Sequence, residues 1–404
     1  MRSRGTTAAT LPPRPCDPPV ARPRYRWAVL AAGTAAQATY LALLTGPAVL
    51  APVFRDELDL TLAEVGIVIA APWVGPILTL LPWGLLADRI GERRVLAGGL
   101  GICGLLSLAI AYVDSFLPLV VLLALVGAAG ASVNSASGRA VMSWFGAAER
   151  GLALGIRQGS TPLGGVVAAL ALPAIAATGG LRAAFIFLGS LVLAAALVGG
   201  VVLRDVPADS GVEEAPRVLR DRRLWLLAWA GGLYLVAQLA VTGFVVLYLH
   251  DERGLSNQEA GVVLAAMQAF AILVRVLVGR WSDVLGDRIF PLRLVGTASG
   301  VALAATALLL EASTEVVVVS FVLAGTLGMS WNGLAFAGAA EIAGRARSGA
   351  ALGFQQTVLS ATAAVASPLF AAAVDATSWR AAFLAASAAP IVGWAMLAPL
   401  RQRV

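Results

Sequence analysis

The chain has 404 residues, 59% of them hydrophobic and only 13% charged, with a mean hydropathy of +0.84. Soluble domains run near about 45–50% apolar and about 25% charged, so this composition excludes an ordinary soluble protein and marks a membrane protein. All 29 basic residues are arginine against 23 acids, and the net charge of +6 raises nucleic acid as a partner; no basic patch interleaved with aromatics accompanies it, and no nucleic-acid partner is expected.

A bilayer-crossing helix needs about 20 apolar residues. Twelve such stretches follow one another: 27–52, 62–87, 95–113, 117–143, 151–178, 181–203, 224–249, 259–282, 291–310, 316–341, 349–374 and 380–400. The Pro- and Arg-rich tail 1–26 before the first is expected to be disordered, and the first stretch is too long for a signal-peptide core. The separation of the third from the fourth rests on Asp114 and Ser115 alone. The predicted fold is an all-α polytopic membrane protein.

Arginine sets its orientation. With the N-terminus inside, the inner segments hold 22 arginines and the outer ones four, Arg55, Arg182, Arg253 and Arg380; Arg139, Arg157 and Arg275 fall within spans. That asymmetry places both termini in the cytoplasm of a multi-pass cell-membrane protein.

The chain also repeats itself. RGLALGIRQG at 150–159 aligns with SGAALGFQQT at 348–357, Asn134 with Asn332, and LRAAF at 181–185 with WRAAF at 379–383, all 198 residues apart. Upstream the offset is 195: Glu64 and Gly66 align with Glu259 and Gly261, and GLLADRIG at 84–91 with GRWSDVLG at 279–286. The expected organisation is therefore a cytoplasmic tail 1–26, an N-terminal six-helix bundle 27–203, a cytoplasmic linker 204–223, a C-terminal six-helix bundle 224–400 and a cytoplasmic tail 401–404. Parallel six-span halves around a shared site are a transporter pattern.

GLLADRIGERR at 84–94 concentrates charge between two apolar runs. Asp88 falls at a helix C-terminus, where the helix dipole disfavours an acid, so a partner elsewhere is expected. This stretch resembles the loop motif of the major facilitator superfamily, and GRWSDVLGDR resembles its weaker second copy; the resemblance covers residues 27 to 400. It implies two pseudo-symmetric six-helix bundles and a cytoplasmic gate built from Gly84, Asp88, Arg89, Gly91, Arg93, Arg94, Arg139, Gly279, Asp283 and Gly286; from the repeat and the two gate loops the halves are expected to alternate access by rocking. In that gate Asp88 would face Ser348 and Gly349, with Arg139 nearby; the alternative is that the loop only sets topology. The arginine that many proton-driven drug exporters of the superfamily carry in the fourth helix is replaced by Leu123, although Gly127 and Gly130 are present.

An arginine inside hydrocarbon costs at least ~2.5–3.5 kcal/mol on insertion scales and calls for an anion or a water-filled cavity. VRVLVGRWSD, with Arg275, resembles the eighth-helix pattern of monocarboxylate, oxalate and nitrate branches, which implies a substrate anion on Arg275; a structural arginine is the alternative. Leu80 occupies the pseudo-symmetric position, so the second arginine expected of a nitrate carrier is missing. Further substrate-binding candidates are Arg157 and Gln158 with their repeat mates Gln355 and Gln356, the matched Asn134 and Asn332, and Gln37, Tyr234 and Gln238, each with helix–helix packing as its alternative.

No carboxylate lies deep in a span, so a proton as coupling ion has no assigned carrier. The single histidine, His250, and two distant cysteines, Cys16 and Cys103, provide no metal site, catalytic cluster or cofactor site. The function read from the sequence is a secondary transporter of a small organic anion such as a monocarboxylate, not an enzyme. Alternatives are a carrier of a neutral or drug-like solute and a transport-fold sensor without flux. The expected partners are a small-molecule substrate and the lipid bilayer, and a monomer is expected.

Overall fold

The computed structural model describes residues 24–145, 149–205, 220–344 and 348–400, and every regular element among them is a helix. The expected tails, apart from residues 24–26, and most of the linker 204–223 lie outside the described residues.

Eleven described helices are long and apolar enough to cross a membrane. One of them, 155–202, is two spans: the backbone leaves helical geometry at Gly179 and Gly180, the latter at φ +61°. The Glu57 carboxylate accepts the Leu181 N–H that opens the second piece, at 3.1 Å. Twelve spans result. The first is Tyr25–Val49, the second Leu62–Ile90 and the third Glu92–Ile110. The fourth joins Phe116–Gly130 to Ser132–Trp144, and the fifth joins Arg150–Gln158 to the helix beginning at Ser160. After the sixth, ending at Val202, come the seventh, Arg222–Asp251, the eighth, Asn257–Leu285, and the ninth, Ile289–Leu308. The tenth joins Thr314–Gly328 to Asn332–Ala343; Ser348–Ala376 and Trp379–Met396 complete the set.

The sequence reads the fourth, fifth and tenth spans as continuous, and each is a single span whose helical hydrogen-bond pattern is interrupted locally, with the backbone at Ala131 and Gly159 still in the right-handed helical region. The breaks fall at Ala131, Gly159 and Met329–Trp331, beside glycines that hold a helix weakly. Arg293, one of the 22 arginines counted with the inner segments, is buried inside the ninth span. Its guanidinium lies 4.4 Å from the Trp394 ring centroid and its Nε donates to the Trp394 carbonyl. The repeated Glu64 and Glu259 close matching capping boxes: Thr61 and Ser256 accept the N–H of each glutamate, and each carboxylate accepts the N–H of its partner at 2.9 Å.

Two pairs of spans join the first six to the last six along seams, and small residues set how closely they approach. A β-carbon on Gly66 of the second span would lie 2.6 Å from Ala371 Cβ and 3.1 Å from the Ser367 carbonyl of the eleventh. The repeat mate Gly261, on the eighth, would lie 2.4 Å from the Ala169 carbonyl and 2.9 Å from Pro173 of the fifth. The same contact is built twice, at positions 195 and 198 residues apart. Near the opposite, arginine-rich end, a β-carbon at Gly155, Gly279, Gly349 or Gly353 would meet nothing within 4 Å. The seams are tight at the arginine-poor end and loosen toward the other. Across the tight end Arg55, on the short helix Ala51–Leu58, forms an ion pair with Asp251 at the end of the seventh span.

Candidate functional site

Arg157 is held inside the first six spans. Its Nη1 donates to Gln37 Oε1 at 2.6 Å and to Ser137 Oγ at 3.2 Å. Gln37 Nε2 donates in turn to Asn134 Oδ1 at 3.1 Å. Three spans thus converge on one guanidinium through neutral acceptors. The Arg157 Nε is buried with no partner among the described residues, and the side chain lines a narrow recess with Val29, Leu30, Gly33, Thr34, Ser137, Ala140 and Phe145.

The other six spans repeat part of this arrangement. Asn332 Nδ2 donates to Gln238 Oε1 at 3.4 Å, again joining the first and fourth helices of a half. Gln355, the mate of Arg157, is 1% exposed, and neither amide atom has a partner among the described residues. Gln356 is half-buried.

Arg275 crosses between the two sets of spans. Its Nε donates to the Met329 carbonyl at 2.7 Å and its Nη1 to the Gln158 carbonyl at 3.4 Å. Both acceptors sit at helix breaks, where carbonyls lose their helical donors. At Gln158 the cause is plain in the chain: the residue four positions on is Pro162, which has no N–H to offer. Nη2 of Arg275 is buried and has no partner among the described residues. Neither Arg157 nor Arg275 forms an ion pair among those residues. Each arginine is a cation in an apolar interior with a buried N–H group to spare, a setting in which an anion would be the complementary partner.

Tyr234 lies elsewhere. It is fully buried against the Gly296 and Gly393 backbones, with its ring 5.8 Å from that of Trp331, so it packs among the seventh, ninth, tenth and twelfth spans.

The charged connections pair locally. Gly91 turns at φ +91°, a conformation glycine adopts freely. The Asp205 carboxylate fills the space beside it and accepts the Arg93 N–H at 2.9 Å, while Arg93 Nε donates to the Gly200 carbonyl. Arg139 pairs with the buried Glu92 at 3.4 Å. In the second copy Arg288 bridges Asp283 at 2.5 Å and Glu341 at 2.9 Å, and Gly286 caps the eighth span at φ +66°. Burial opposes the charge on Arg288, yet the two carboxylates hold its pKa above the ordinary arginine value. Arg89 and Arg94 are exposed, and β-carbons on Gly84 and Gly279 would meet open space. The Asp88 and Ser348 side chains lie outside the described residues, as does the expected contact between them. Sequence reasoning missed Glu92, Asp205 and Arg288. The Glu in GERR was in plain view, but its partner lies 47 residues on.

Twelve spans in two repeated sets, joined through two equivalent seams, define a polytopic membrane transporter. Residues 30–347 match the Major Facilitator Superfamily, and the chain belongs to that family. It is 32% identical over 381 residues, 93% of its own length and 85% of the relative's, to an uncharacterized MFS-type transporter of Mycobacterium tuberculosis (strain CDC 1551 / Oshkosh). It is 27% identical over 264 residues, 60% of each chain, to the probable sulfoacetate transporter SauU of Cupriavidus necator. The solved structure of a bacterial homolog of the human lysosomal transporter Spinster, inward-facing and occupied, has the same fold. Its TM-score is 0.78 at 17% identity, over 93% of this chain and 97% of that one. The protein is a secondary transporter and not an enzyme.

Proposed function

We propose that this transporter carries a small organic anion of the monocarboxylate class, bound between two six-span halves that alternate access. The observation that carries the reading is the pair of interior guanidiniums, Arg157 and Arg275, with neutral protein partners and unoccupied N–H groups. A carboxylate satisfies such groups through charge-assisted hydrogen bonds, which a neutral solute forms only weakly. The relative named for sulfoacetate, itself an anion, supports the same class.

The halves are residues 27–203 and 224–400. The arginine bias supports a cytoplasmic location for the end where the seams loosen, so the form described here is inward-facing. Asp88, Arg139 and Asp283, with the glycines and arginines around them, form the gate that closes this end in the other half of the cycle.

The test is uptake of labelled lactate and acetate into proteoliposomes, with Arg275→Ala and Arg157→Ala as variants. Uptake by the parent protein and its loss in both variants are the expected results; undiminished uptake in both overturns the anion reading. Binding without flux favours a sensor.

A further inference from the structure

The two seams are equivalent by sequence repeat and unequal in chemistry. On the eighth span the contact residues fall every seven positions. Gly261 meets Ala169 and Pro173, Gln268 meets Gly165, and Arg275 meets Gln158. At Gly165 a β-carbon would lie 2.1 Å from Gln268 Nε2. The mates on the second span are Gly66, Trp73 and Leu80. Gly66 makes the same tight contact, and Trp73 packs against the hydrophobic core of the last six spans. Where the second span presents only apolar residues at these three positions, the eighth carries an amide and a guanidinium on a single helical face.

Gln268 is 3% exposed, and its Oε1 is buried with no partner among the described residues. A buried amide oxygen left unpaired is costly, and the mate position shows that this fold accepts an apolar side chain there. Gln268 therefore calls for a partner that the described residues do not supply. It needs a hydrogen-bond donor, since Oε1 only accepts. It lies two helical turns from Arg275, ~10 Å of rise. Arginine side chains on a helix lean toward its N-terminus, which is the direction of Gln268.

We infer that Gln268 is a specificity-determining residue that accepts a hydrogen bond from a hydroxyl group of the substrate, and that the substrate class is a short hydroxy acid. Its carboxylate rests on Arg275 and its hydroxyl reaches Gln268 when the seam between the fifth and eighth spans parts. The inference rests on the proposed anion reading.

The test compares binding of butyrate and 4-hydroxybutyrate to the full-length protein by calorimetry, in parent, Gln268→Met and Arg275→Ala forms. The parent is expected to bind the hydroxy acid about two- to tenfold more tightly, the range of one neutral hydrogen bond. Gln268→Met should abolish that preference and keep butyrate affinity, whereas Arg275→Ala should weaken both acids. If the methionine variant does not accumulate, Gln268→Asn, which withdraws the amide by one methylene, should erase the preference equally. A parent protein that does not distinguish the acids, or a Gln268 variant that still does, overturns the inference and leaves the anion reading standing. A parent protein that binds neither acid overturns both.

Discussion

Arg275 and Gln158 belong to different sets of six spans, and the guanidinium of one donates to the main-chain carbonyl of the other at 3.4 Å. The carbonyl is available because Pro162 cannot donate to it. At the repeat mate of Pro162 stands Ser360, which has an N–H, and at the mate of Arg275 stands Leu80. The arginine and the proline thus occur together in one seam and are both absent from the other. Pro162→Ala should give Gln158 a helical donor and release Arg275. A double-mutant cycle with Arg275→Gln, read by denaturant or thermal unfolding in detergent, should give a coupling energy of about 1 kcal/mol. Strict additivity would show that the two residues act independently.

Arg55 and Asp251 fasten the arginine-poor end. Their side chains are 40% and 23% exposed, so the pair contributes only about 0.2–1 kcal/mol. That is enough to shift a balanced conformational equilibrium up to about fivefold. Arg55→Ala should raise the population open at this end, read as faster labelling of cysteines placed beside the seam or as longer spin-label distances across it. The exchange Arg55→Asp with Asp251→Arg should restore the parent distribution, and high salt should weaken the parent pair.

Glu92 and Arg139 tie the third span to the fourth. Glu92 is 4% exposed, so removing its partner leaves a buried carboxylate short of a charge-assisted bond. Arg139→Leu should lower stability by about 1–3 kcal/mol, visible as a fall of about 1–4 °C in the unfolding midpoint. Glu92→Gln in the same chain should recover part of the loss. A midpoint unchanged by Arg139→Leu would mean that Glu92 is satisfied without it.

Much of the fold was readable because membrane spans announce themselves by composition and the two halves share spaced polar residues. Gly66 and Gly261, Glu64 and Glu259, and Asn134 and Asn332 align as repeats in the sequence alone. The convergence of Arg157 on Gln37 could not be read, since apolar periodicity in a membrane helix does not say which face meets protein and which meets lipid. For the same reason the sequence does not tell Tyr234, which packs against Gly296 and Gly393, from a residue that lines a cavity. Gln268 has Trp73 as its repeat mate, so the repeat that exposes other polar residues hides this one. The helix break at Gly159 had a local sign, Pro162 three residues on, whereas the break at Met329–Trp331 has only flanking glycines to mark it.

The seam glycines offer a test of closure that needs no substrate. A side chain at Gly66 meets Ala371 Cβ at 2.6 Å, and one at Gly261 meets the Ala169 carbonyl at 2.4 Å. Neither neighbour is the far end of a flexible side chain, so the helices themselves must move apart. Overpacking of this kind costs about 1–3 kcal/mol wherever the seam is closed and nothing where it is open. Gly66→Val and Gly261→Val should therefore each shift the protein toward opening at the arginine-poor end, and the double variant should do so more strongly. Cysteine pairs across that end should crosslink less in the variants than in the parent, while pairs across the arginine-rich end crosslink more. If both ends respond in the same direction, the variants have loosened the bundle as a whole, and the two ends are not coupled through rocking of rigid halves.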